Sequence, residues 1–419
     1  MRHTIIAIAL LCAVDVSAAT TYNDDSCDIG VTPAATLLLP YFEVDIDKPP
    51  KLARTTIFSV VNTSQYPQIA RVTLWSDLAF PVMNFNLFLT GYDVQSLNLH
   101  DVLTTGAAAG MLTAPGDRSL PNDVNPNHAS TLCDRFALPP DVLADVQAIL
   151  TTGRGAACPS DQAGMAHTAA IGYVTIDVVN SCNVTFPDSE AYYGELLYDN
   201  VLIGDYEQFN PDPVIGNFAS GSPLVHIRAI PEGGPAGVNV ATNFRRTFYD
   251  RYTPRVSPHV DRRQPLPSAF AARFVQGGKG AFNTNFQIWR EGLSGGRTCA
   301  DYKKNYLGSA AALREFVRFD EHENPTIRMS TVRILVPITY STLPAVSSTA
   351  TSSGIFPPLS NSGDVGGWIF LDLTNPAWVT SSMNAEGRFA VAFDAQTLGN
   401  GCSPSAPSET IGPRVNTTP

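Results

Sequence analysis

Short stretches in which apolar and polar residues alternate, or in which β-branched residues cluster, recur along most of the chain. Residues 54–62 are rich in β-branched side chains, and residues 69–75 and 84–89 alternate between apolar and polar positions. With the runs at 36–44 and 92–99, and with turn residues between them, this pattern is typical of an antiparallel β-sandwich. We therefore predict an N-terminal sandwich of five strands.

The remaining predicted strands do not alternate with helices, which argues against a parallel α/β fold. They lie at 170–179, 195–203, 224–230, 269–275, 283–289, 315–319, 331–340, 368–373 and 389–393. The predicted fold class is all-β, mainly antiparallel, with two β-sandwich-like units. The predicted organisation is an N-terminal sandwich at 20–103, a loop-rich insertion at 104–165, a β-rich continuation at 166–261, a C-terminal β-rich unit at 262–402 and a disordered tail at 403–419.

The insertion carries one predicted helix, which starts at Pro139-Pro140-Asp141 and ends before Gly153. Proline in the first turn and glycine just past the end are ordinary helix start and stop signals. The apolar positions that fit one face of this helix are Val142, Leu143, Val146, Ile149 and Leu150. Cys133 and Cys158 bracket the helix, so we predict that a disulfide between them clamps the insertion.

The first 19 residues have the layout of a secretory signal peptide. Arg2 supplies a positive charge, residues 4–14 are mostly apolar, and Ser17-Ala18-Ala19 offers a small-residue cleavage site. The apolar run is too short to span a bilayer, so we expect cleavage after Ala18 or Ala19 and no transmembrane anchor. The mature protein is expected to be secreted or periplasmic.

Cleavage would leave six of the seven cysteines, an even number that favours disulfides in an exported chain. These cysteines are Cys27, Cys133, Cys158, Cys182, Cys299 and Cys402. The absence of a CxxC pair argues against a zinc ribbon and against a thioredoxin-like redox site. The pairing of Cys27, Cys182, Cys299 and Cys402 stays open at this point.

Composition narrows the class of protein further. The chain has 419 residues, a formal net charge of −11 and 44% hydrophobic residues. That hydrophobic content is enough for a substantial core and excludes a disordered chain. A net acidic surface repels phosphate, so we do not expect nucleic acid as a partner.

Several phrases, scattered over most of the mature chain, resemble an uncharacterised family of exported bacterial β-rich proteins. The phrases are VTPAATLLLPYFEVD, TTIFSVVNTS, LTGYDVQSLNLHDV, IGYVTIDVV, DRRQPLPSAFAARF, GGWIFLDL and GRFAVAFDA. The N-terminal part also resembles the immunoglobulin-like accessory domains of secreted bacterial proteins. The resemblance implies secretion and β structure, and it carries over no activity and no catalytic residue.

A GxSxG pattern at residues 292–296 places Ser294 where hydrolases carry a nucleophile. The pattern needs a helix directly after the serine and a parallel sheet, and neither is predicted here. His322 is the histidine downstream of it, with Asp301 or Asp320 as the acid. We therefore interpret Ser294 as part of a flexible Gly-Ser turn and predict no catalytic residue.

Two acidic groups suggest weaker sites. Glu43, Asp45 and Asp47 alternate near a strand end, where we interpret them as solvated acids, with cation binding and glycoside hydrolysis as alternatives. Residues 320–324 read DEHEN and predict a polar hairpin turn. Its oxygen-bearing side chains are weak Ca²⁺ candidates, namely Asp320, Glu321 and Glu323.

The mature histidines do not form a metal-binding spacing such as HxH or HExxH, and we interpret each as an ordinary surface or strand residue. They are His100, His128, His167, His226, His259 and His322. No metal site and no cofactor other than Ca²⁺ is predicted from the sequence.

The stretch from Arg245 to Arg263 is the most basic part of this acidic chain. Its six arginines are Arg245, Arg246, Arg251, Arg255, Arg262 and Arg263. Phe248, Tyr249 and Tyr252 lie between them, so the stretch combines planar anion-binding groups with rings suited to stacking. An anion-binding patch for an acidic polysaccharide is one interpretation, and structural ion pairs within the protein are the other.

These observations predict an exported, non-catalytic protein that binds a partner or serves a structural role at or outside the cell surface. The expected partners are an anionic polysaccharide or another surface protein. A secreted hydrolase with an unrecognised site, and a carbohydrate- or Ca²⁺-binding accessory module, are the alternatives. Convergent titratable groups in a pocket would favour the hydrolase, and exposed aromatic rings would favour glycan binding.

Overall fold

The computed structural model describes fourteen segments of the chain. They are residues 32–106, 138–161, 163–187, 189–211, 218–229, 263, 266–275, 282–290, 299, 311–334, 338–342, 366–373, 377–385 and 389–397. The predicted signal peptide and the predicted C-terminal tail lie outside the described residues, as do Cys133 and Ser294.

The described residues are mostly strand, and their pairings are antiparallel throughout, which confirms the predicted fold class. The strands are β1 Thr36–Val44, β2 Thr55–Asn62, β3 Gln68–Ser76, β4 Pro81–Leu89, β5 Val94–Asn98, β6 Ala170–Val179, β7 Leu202–Asn210, β8 Phe218–Pro223, β9 Val225–Ile227, β10 Ala269–Val275, β11 Phe282–Arg290, β12 Ala311–Asp320, β13 Pro325–Ile334, β14 Ile338–Thr342, β15 Gly366–Asp372, β16 Ala377–Ala385, β17 Phe389–Asp394 and β18 Gln396–Thr397. The helices are α1 Leu99–Thr105, α2 Pro140–Thr152 and α3 Glu190–Glu195.

The first pair of sheets encloses a continuous apolar core. One sheet has the strand order β4-β3-β6-β1-β9, and the other has the order β5-β2-β7-β8. Val174, Ile176 and Val178 alternate along β6 and face this core, together with Phe58 and Val60 of β2. Strands from the predicted continuation at 166–261 therefore complete both sheets that begin in the N-terminal part.

The second pair of sheets is built from the C-terminal strands. Their orders are β13-β12-β15-β10-β18 and β14-β11-β16-β17. Phe270 of β10 contacts Trp378 of β16 edge-to-face, with ring centroids 6.1 Å apart, so the two sheets pack face to face. Sandwich-like packing therefore recurs in this half of the chain.

The two pairs of sheets also contact each other. Tyr173 of β6 stacks on Trp75 of β3 and meets Trp289 of β11 edge-to-face at 5.6 Å. At a second contact, the Ser222 hydroxyl of β8, in the four-stranded sheet β5-β2-β7-β8, donates to Asp394 Oδ2 at the end of β17. The outer face of the five-stranded sheet β4-β3-β6-β1-β9 is therefore covered at Tyr173 by the C-terminal strands. The charged residues Arg71 and Asp177 on the same face are also buried.

The predicted helix in the insertion is confirmed as α2. Val146, Ile149 and Leu150 are its buried residues, as the apolar spacing indicated, and Pro140 is its first residue. The helix ends at Gly153, which adopts a φ of 73°. A side chain at Gly153 would meet the backbone of Gly164, so only glycine fits this helix end.

The predicted Cys133–Cys158 disulfide is wrong. Cys158 bonds instead to Cys299, with a Cα–Cα distance of 5.6 Å across 141 residues of sequence. Cys158 is buried beside Ile149 and Ala163, and Cys299 packs against the same small apolar cluster. The bond therefore joins the end of the α2 region to the C-terminal half rather than clamping the insertion on itself. Cys182 is also disulfide-bonded.

Several predicted strand boundaries differ from the structure. The single strand predicted at 331–340 covers the end of β13 at Ile334 and the start of β14 at Ile338. Two other differences have a clear local cause. The predicted strand at 195–203 is wrong over most of its length, because α3 ends at Glu195 and Tyr198 has a φ of 58° that turns the chain. The strand β7 begins only at Leu202. The predicted strand at 92–99 is shorter than expected because Asn98 caps α1 with its side chain, which accepts a hydrogen bond from His100 N.

Candidate functional site

Arg263 is the member of the predicted arginine patch that lies among the described residues, and it is buried. Its Nη1 donates to Asp177 Oδ1 at 2.8 Å, and neither side chain is more than 1% exposed. For Arg263 the structure therefore supports the interpretation as a structural ion pair and contradicts its place on an open anion-binding surface, because a buried carboxylate balances its charge. The other members lie outside the described residues: Arg245, Arg246, Arg251, Arg255 and Arg262.

Arg263 belongs to a buried group of polar residues on the outer face of the five-stranded sheet. We call this group the Asp177 cluster, which consists of Thr36, Arg71, Asp177, Tyr192, Glu195 and Arg263. The strand register places Thr36 and Arg71 directly beside Asp177, one on each neighbouring strand. The hydroxyls of Thr36 and Tyr192 both donate to the Asp177 carboxylate. Arg71 pairs with Glu195 at the end of α3.

The chemistry of the Asp177 cluster is that of a closed ion-pair network. Burial and the Asp177 carboxylate raise the pKa of Tyr192 well above its ordinary value, so its hydroxyl stays protonated. Burial would raise the pKa of Glu195, but hydrogen bonds from Asn183 and Arg71 outweigh it and lower the pKa. Cations and carboxylates therefore satisfy one another inside the protein, which is what a structural network requires.

The acidic residues near the end of β1 are also paired within the protein. Arg54 binds Glu43 and Asp45 together, and Lys48 adds a second cation to Asp45 at 2.8 Å. The interpretation of Asp45 as a solvated acid is wrong, because it is buried. Burial would raise its pKa, but the hydrogen bonds from Arg54 and Lys48 reverse this and hold the pKa far below its usual range. Asp47 is exposed, as expected.

The described histidines occupy different environments, and most of them hold segments together. His167 Nε2 lies 2.8 Å from Asp77 Oδ2, which links the loop before β6 to the turn between β3 and β4. His100 is buried and contacts the Lys48 carbonyl oxygen. His226 is buried in β9, and burial lowers its pKa despite hydrogen bonds to Gly204 and Thr32. The surface interpretation is therefore wrong for His100, while His226 is a strand histidine as expected.

The segment at 320–324 forms the predicted polar turn between β12 and β13. The Asp320 carboxylate accepts hydrogen bonds from the backbone N–H groups of His322 and Asn324. Its oxygens therefore stabilise the turn itself, while Glu321 and Glu323 are exposed. Among the described residues, no group of three potential metal ligands comes together.

Two loops at one end of the first pair of sheets pack against each other. We call residues 63–67, between β2 and β3, and residues 90–93, between β4 and β5, the two-loop tip. The buried Asn62 amide donates to the carbonyl oxygens of Tyr66 and Thr90, and its oxygen accepts from Ser64 N–H and Oγ. The Tyr92 N–H donates to the Ser64 carbonyl oxygen at 2.9 Å. One side chain therefore fixes the two loops relative to each other.

The two-loop tip presents two tyrosine side chains to solvent. Tyr66 is 66% exposed and Tyr92 is 70% exposed. Tyr92 has a φ of 59°, a left-handed conformation that is unusual for a bulky side chain. Gly91, next to it, lies so close to Gln65 that an added Cβ would come within 2.3 Å of the Gln65 carbonyl oxygen. The backbone of the two loops is thus in contact directly beside both rings.

The sequence offered only partial signals for these two features. Arg71 and Asp177 are charged residues inside runs that otherwise read as buried strands, and that contrast could have indicated an internal ion pair. Tyr66 and Tyr92 lie in turn segments, where an aromatic side chain is more often exposed than packed in the core. Their common location follows from the pairing of β2, β3, β4 and β5 with their neighbours, which residue spacing alone does not determine.

Comparisons with protein families, with curated proteins and with solved structures find no match to this chain. Within the segments that the structure describes, no helix is both long and apolar enough to cross a membrane.

Proposed function

We propose that this chain is an exported, non-catalytic protein that binds a partner at or outside the cell surface. The observation that carries the binding role is the two-loop tip, where two exposed tyrosines extend from loops held together by a buried asparagine. Exposed aromatic rings on a fixed framework are characteristic of binding surfaces, because they offer contact area at low entropic cost.

Export is supported by the cysteines. The described cysteines Cys158, Cys182 and Cys299 are all disulfide-bonded. Disulfides form and persist in oxidising compartments such as the periplasm and the extracellular space. The signal-peptide pattern in the first 19 residues points to the same destination.

The internal pairing of charges is consistent with a binding role rather than with acid–base chemistry. Asp177 is surrounded by Arg263, Thr36 and Tyr192, and Asp45 is held by Arg54 and Lys48. A general acid or base must exchange its proton with a substrate, whereas these carboxylates are engaged by cations and hydroxyls of the protein itself.

The proposal is tested by fractionating the producing cells and by mixing the purified mature chain with their envelopes. We expect the protein in the periplasmic or culture fraction and its co-sedimentation with the envelope material. Recovery in the cytoplasm would contradict export, and recovery in the supernatant after sedimentation would contradict the binding role. Release of soluble sugars or peptides from the envelopes would instead favour the hydrolase alternative.

A further inference from the structure

We propose that the two-loop tip binds a neutral polysaccharide by stacking Tyr66 and Tyr92 on sugar rings, an inference that rests on the proposed binding function. Tyrosine combines a flat apolar face, which suits the C–H face of a sugar, with a hydroxyl that hydrogen-bonds to sugar hydroxyls. Both side chains are more than half exposed and belong to the same pair of contacting loops.

The tip is organised before any ligand arrives. Asn62 is fully buried and makes four hydrogen bonds to backbone and hydroxyl groups of the two loops. Its own N–H donates to the Asp93 carbonyl oxygen, which adds a further contact with the second loop. Binding to a preformed surface costs little ordering entropy, so a small contact with a sugar chain can give measurable affinity.

The backbone of Tyr92 is held in a conformation that its side chain disfavours. A left-handed conformation is unfavourable for most non-glycine residues, and asparagine or glycine would adopt it more easily. Tyr198 has nearly the same φ, 58°, but its ring packs against the apolar core, which offsets the cost. The Tyr92 ring is largely in solvent. Core packing therefore does not offset the strain at Tyr92, and strain of this kind is consistent with a role of the exposed ring in binding.

The near absence of charged side chains at the two-loop tip favours an uncharged ligand. Among residues 63–67 and 90–93, Asp93 is the single charged residue. Its carboxylate accepts hydrogen bonds from Thr90 N–H, Thr90 Oγ1 and Val94 N–H, so it is used by the loop itself. The remaining polar groups beside the rings are neutral amides and hydroxyls, including the exposed Gln65. Such a surface complements uncharged sugars and offers no cation to an acidic polymer.

The size of the tip favours a sugar chain over a protein. An aromatic side chain buries about 150–250 Å² at most, so two tyrosines supply only a fraction of the roughly 800 Å² that each partner contributes to a stable protein interface. A sugar polymer can bind through a few contacts between its sugar rings and the tyrosine rings, and its repeated units can increase the apparent affinity. We therefore assign the tip to a polysaccharide.

The experiment is native gel electrophoresis of the mature chain through gels that contain a soluble polysaccharide. The neutral probes are hydroxyethyl cellulose, dextran and soluble starch, and the acidic probe is alginate. We compare the wild type with Tyr66→Ala and Tyr92→Asn. Tyr198→Asn is the matched control, because it removes a tyrosine with the same backbone conformation at a position packed on the core.

We expect at least one neutral polysaccharide to slow the wild type and the apparent dissociation constant to rise at least tenfold in both tip variants. The melting temperature of Tyr92→Asn should equal or exceed that of the wild type, because asparagine tolerates the left-handed conformation. Tyr198→Asn should keep its retardation and melt at a lower temperature. This combination separates loss of binding from loss of folding.

The inference is overturned if no neutral probe slows the wild type, if only alginate does, or if the tip variants are slowed as much as the wild type. Co-sedimentation with envelopes that survives both tip substitutions would also overturn it while leaving the proposed function intact, with a protein partner as the next candidate. Failure of the wild type to be exported or to sediment would instead count against the proposed function itself.

Discussion

At the scale of single residues, several charged side chains in the described part of this molecule are buried within its β-sheets. Asp177 is completely buried in β6 and lies between Thr36 and Arg71 on the neighbouring strands. Removing a carboxylate from water costs several kcal/mol, and only close cations and hydroxyl donors repay that cost. Arg263 and Tyr192 supply them, so the stability of the outer face depends on a complete network.

The first prediction concerns this network. Asp177→Asn should lower the free energy of unfolding by about 3–5 kcal/mol, because Arg263 would remain buried without its counter-charge. Urea denaturation of the mature chain measures this. The double variant Asp177→Asn with Arg263→Met should recover part of the loss. The control Asp205→Asn, at an exposed position on β7, should change stability by less than about 0.5 kcal/mol. Equal effects of Asp177→Asn and the control would contradict the network.

The second prediction concerns pH. The pKa of Glu195 is lowered from its ordinary value of 4.5, since hydrogen bonds from Asn183 and Arg71 outweigh the effect of burial. A lowered pKa in the folded state contributes stability that is complete above the ordinary pKa and is lost as the pH falls through the lowered one. Glu195→Gln should therefore lose less stability than the wild type between about pH 7 and about pH 3.

Urea denaturation at the two pH values tests the second prediction, with Glu207→Gln at an exposed position as the control. The control should follow the wild type. If the free energy of unfolding falls equally in the wild type and in Glu195→Gln between the two pH values, Glu195 does not contribute to the loss of stability in acid.

At the scale of elements, local patterns determined most strands and the longest described helix. The strands at Thr36–Val44 and Ala170–Val179 have the predicted bounds, and α2 begins and ends at its proline and glycine signals. The strand β16 was not predicted because its sequence, AWVTSSMNA, carries small polar residues that are buried only by its partners β11 and β17. The short helices α1 and α3 were missed for a similar reason, since tertiary contacts rather than periodicity stabilise one or two turns.

The third prediction concerns the turn between β12 and β13. Glu323 has a φ of 62°, which a non-glycine residue adopts at a cost. Glu323→Gly should therefore raise the free energy of unfolding by about 0.5–1 kcal/mol. This gain is the backbone strain that glycine relieves, reduced by the greater conformational entropy that glycine has in the unfolded chain. Thermal unfolding measures this. Glu321→Gly, two positions earlier in the same turn, should lower stability instead. A loss of stability in both variants would contradict the strain argument.

At the scale of the whole molecule, the arrangement of sheets follows from contacts between residues far apart in sequence. The Cys158–Cys299 bond spans 141 residues, and local spacing favoured the nearer Cys133 instead. The cysteine that pairs with Cys158 is determined by where the α2 region and the C-terminal half come together in the fold. The spacing of cysteines along the sequence does not specify this. The same reason explains why the Asp177 cluster and the two-loop tip could not be assembled from the sequence, although their residues were visible in it.

The fourth prediction concerns this disulfide. Replacing Cys158 and Cys299 together by serine should lower the free energy of unfolding by up to about 5 kcal/mol, because the unfolded chain regains the entropy of a 141-residue loop. Chemical denaturation under non-reducing conditions measures the loss. Replacing Cys299 alone should also leave Cys158 free to react with a thiol reagent on unfolding. An unchanged denaturation midpoint in the double variant would contradict a cross-link between the two halves.

We propose that this is an exported β-sandwich protein, in which the Cys158–Cys299 disulfide joins the two halves. The most direct measurement is non-reducing peptide mapping of the protein recovered from outside the cytoplasm, with its N-terminus determined in the same mass spectra. We expect a chain that begins at Ala19 or Thr20 and a linked pair of peptides that contain Cys158 and Cys299. An intact Met1 with free thiols, or a peptide that links Cys158 to Cys133, would contradict it.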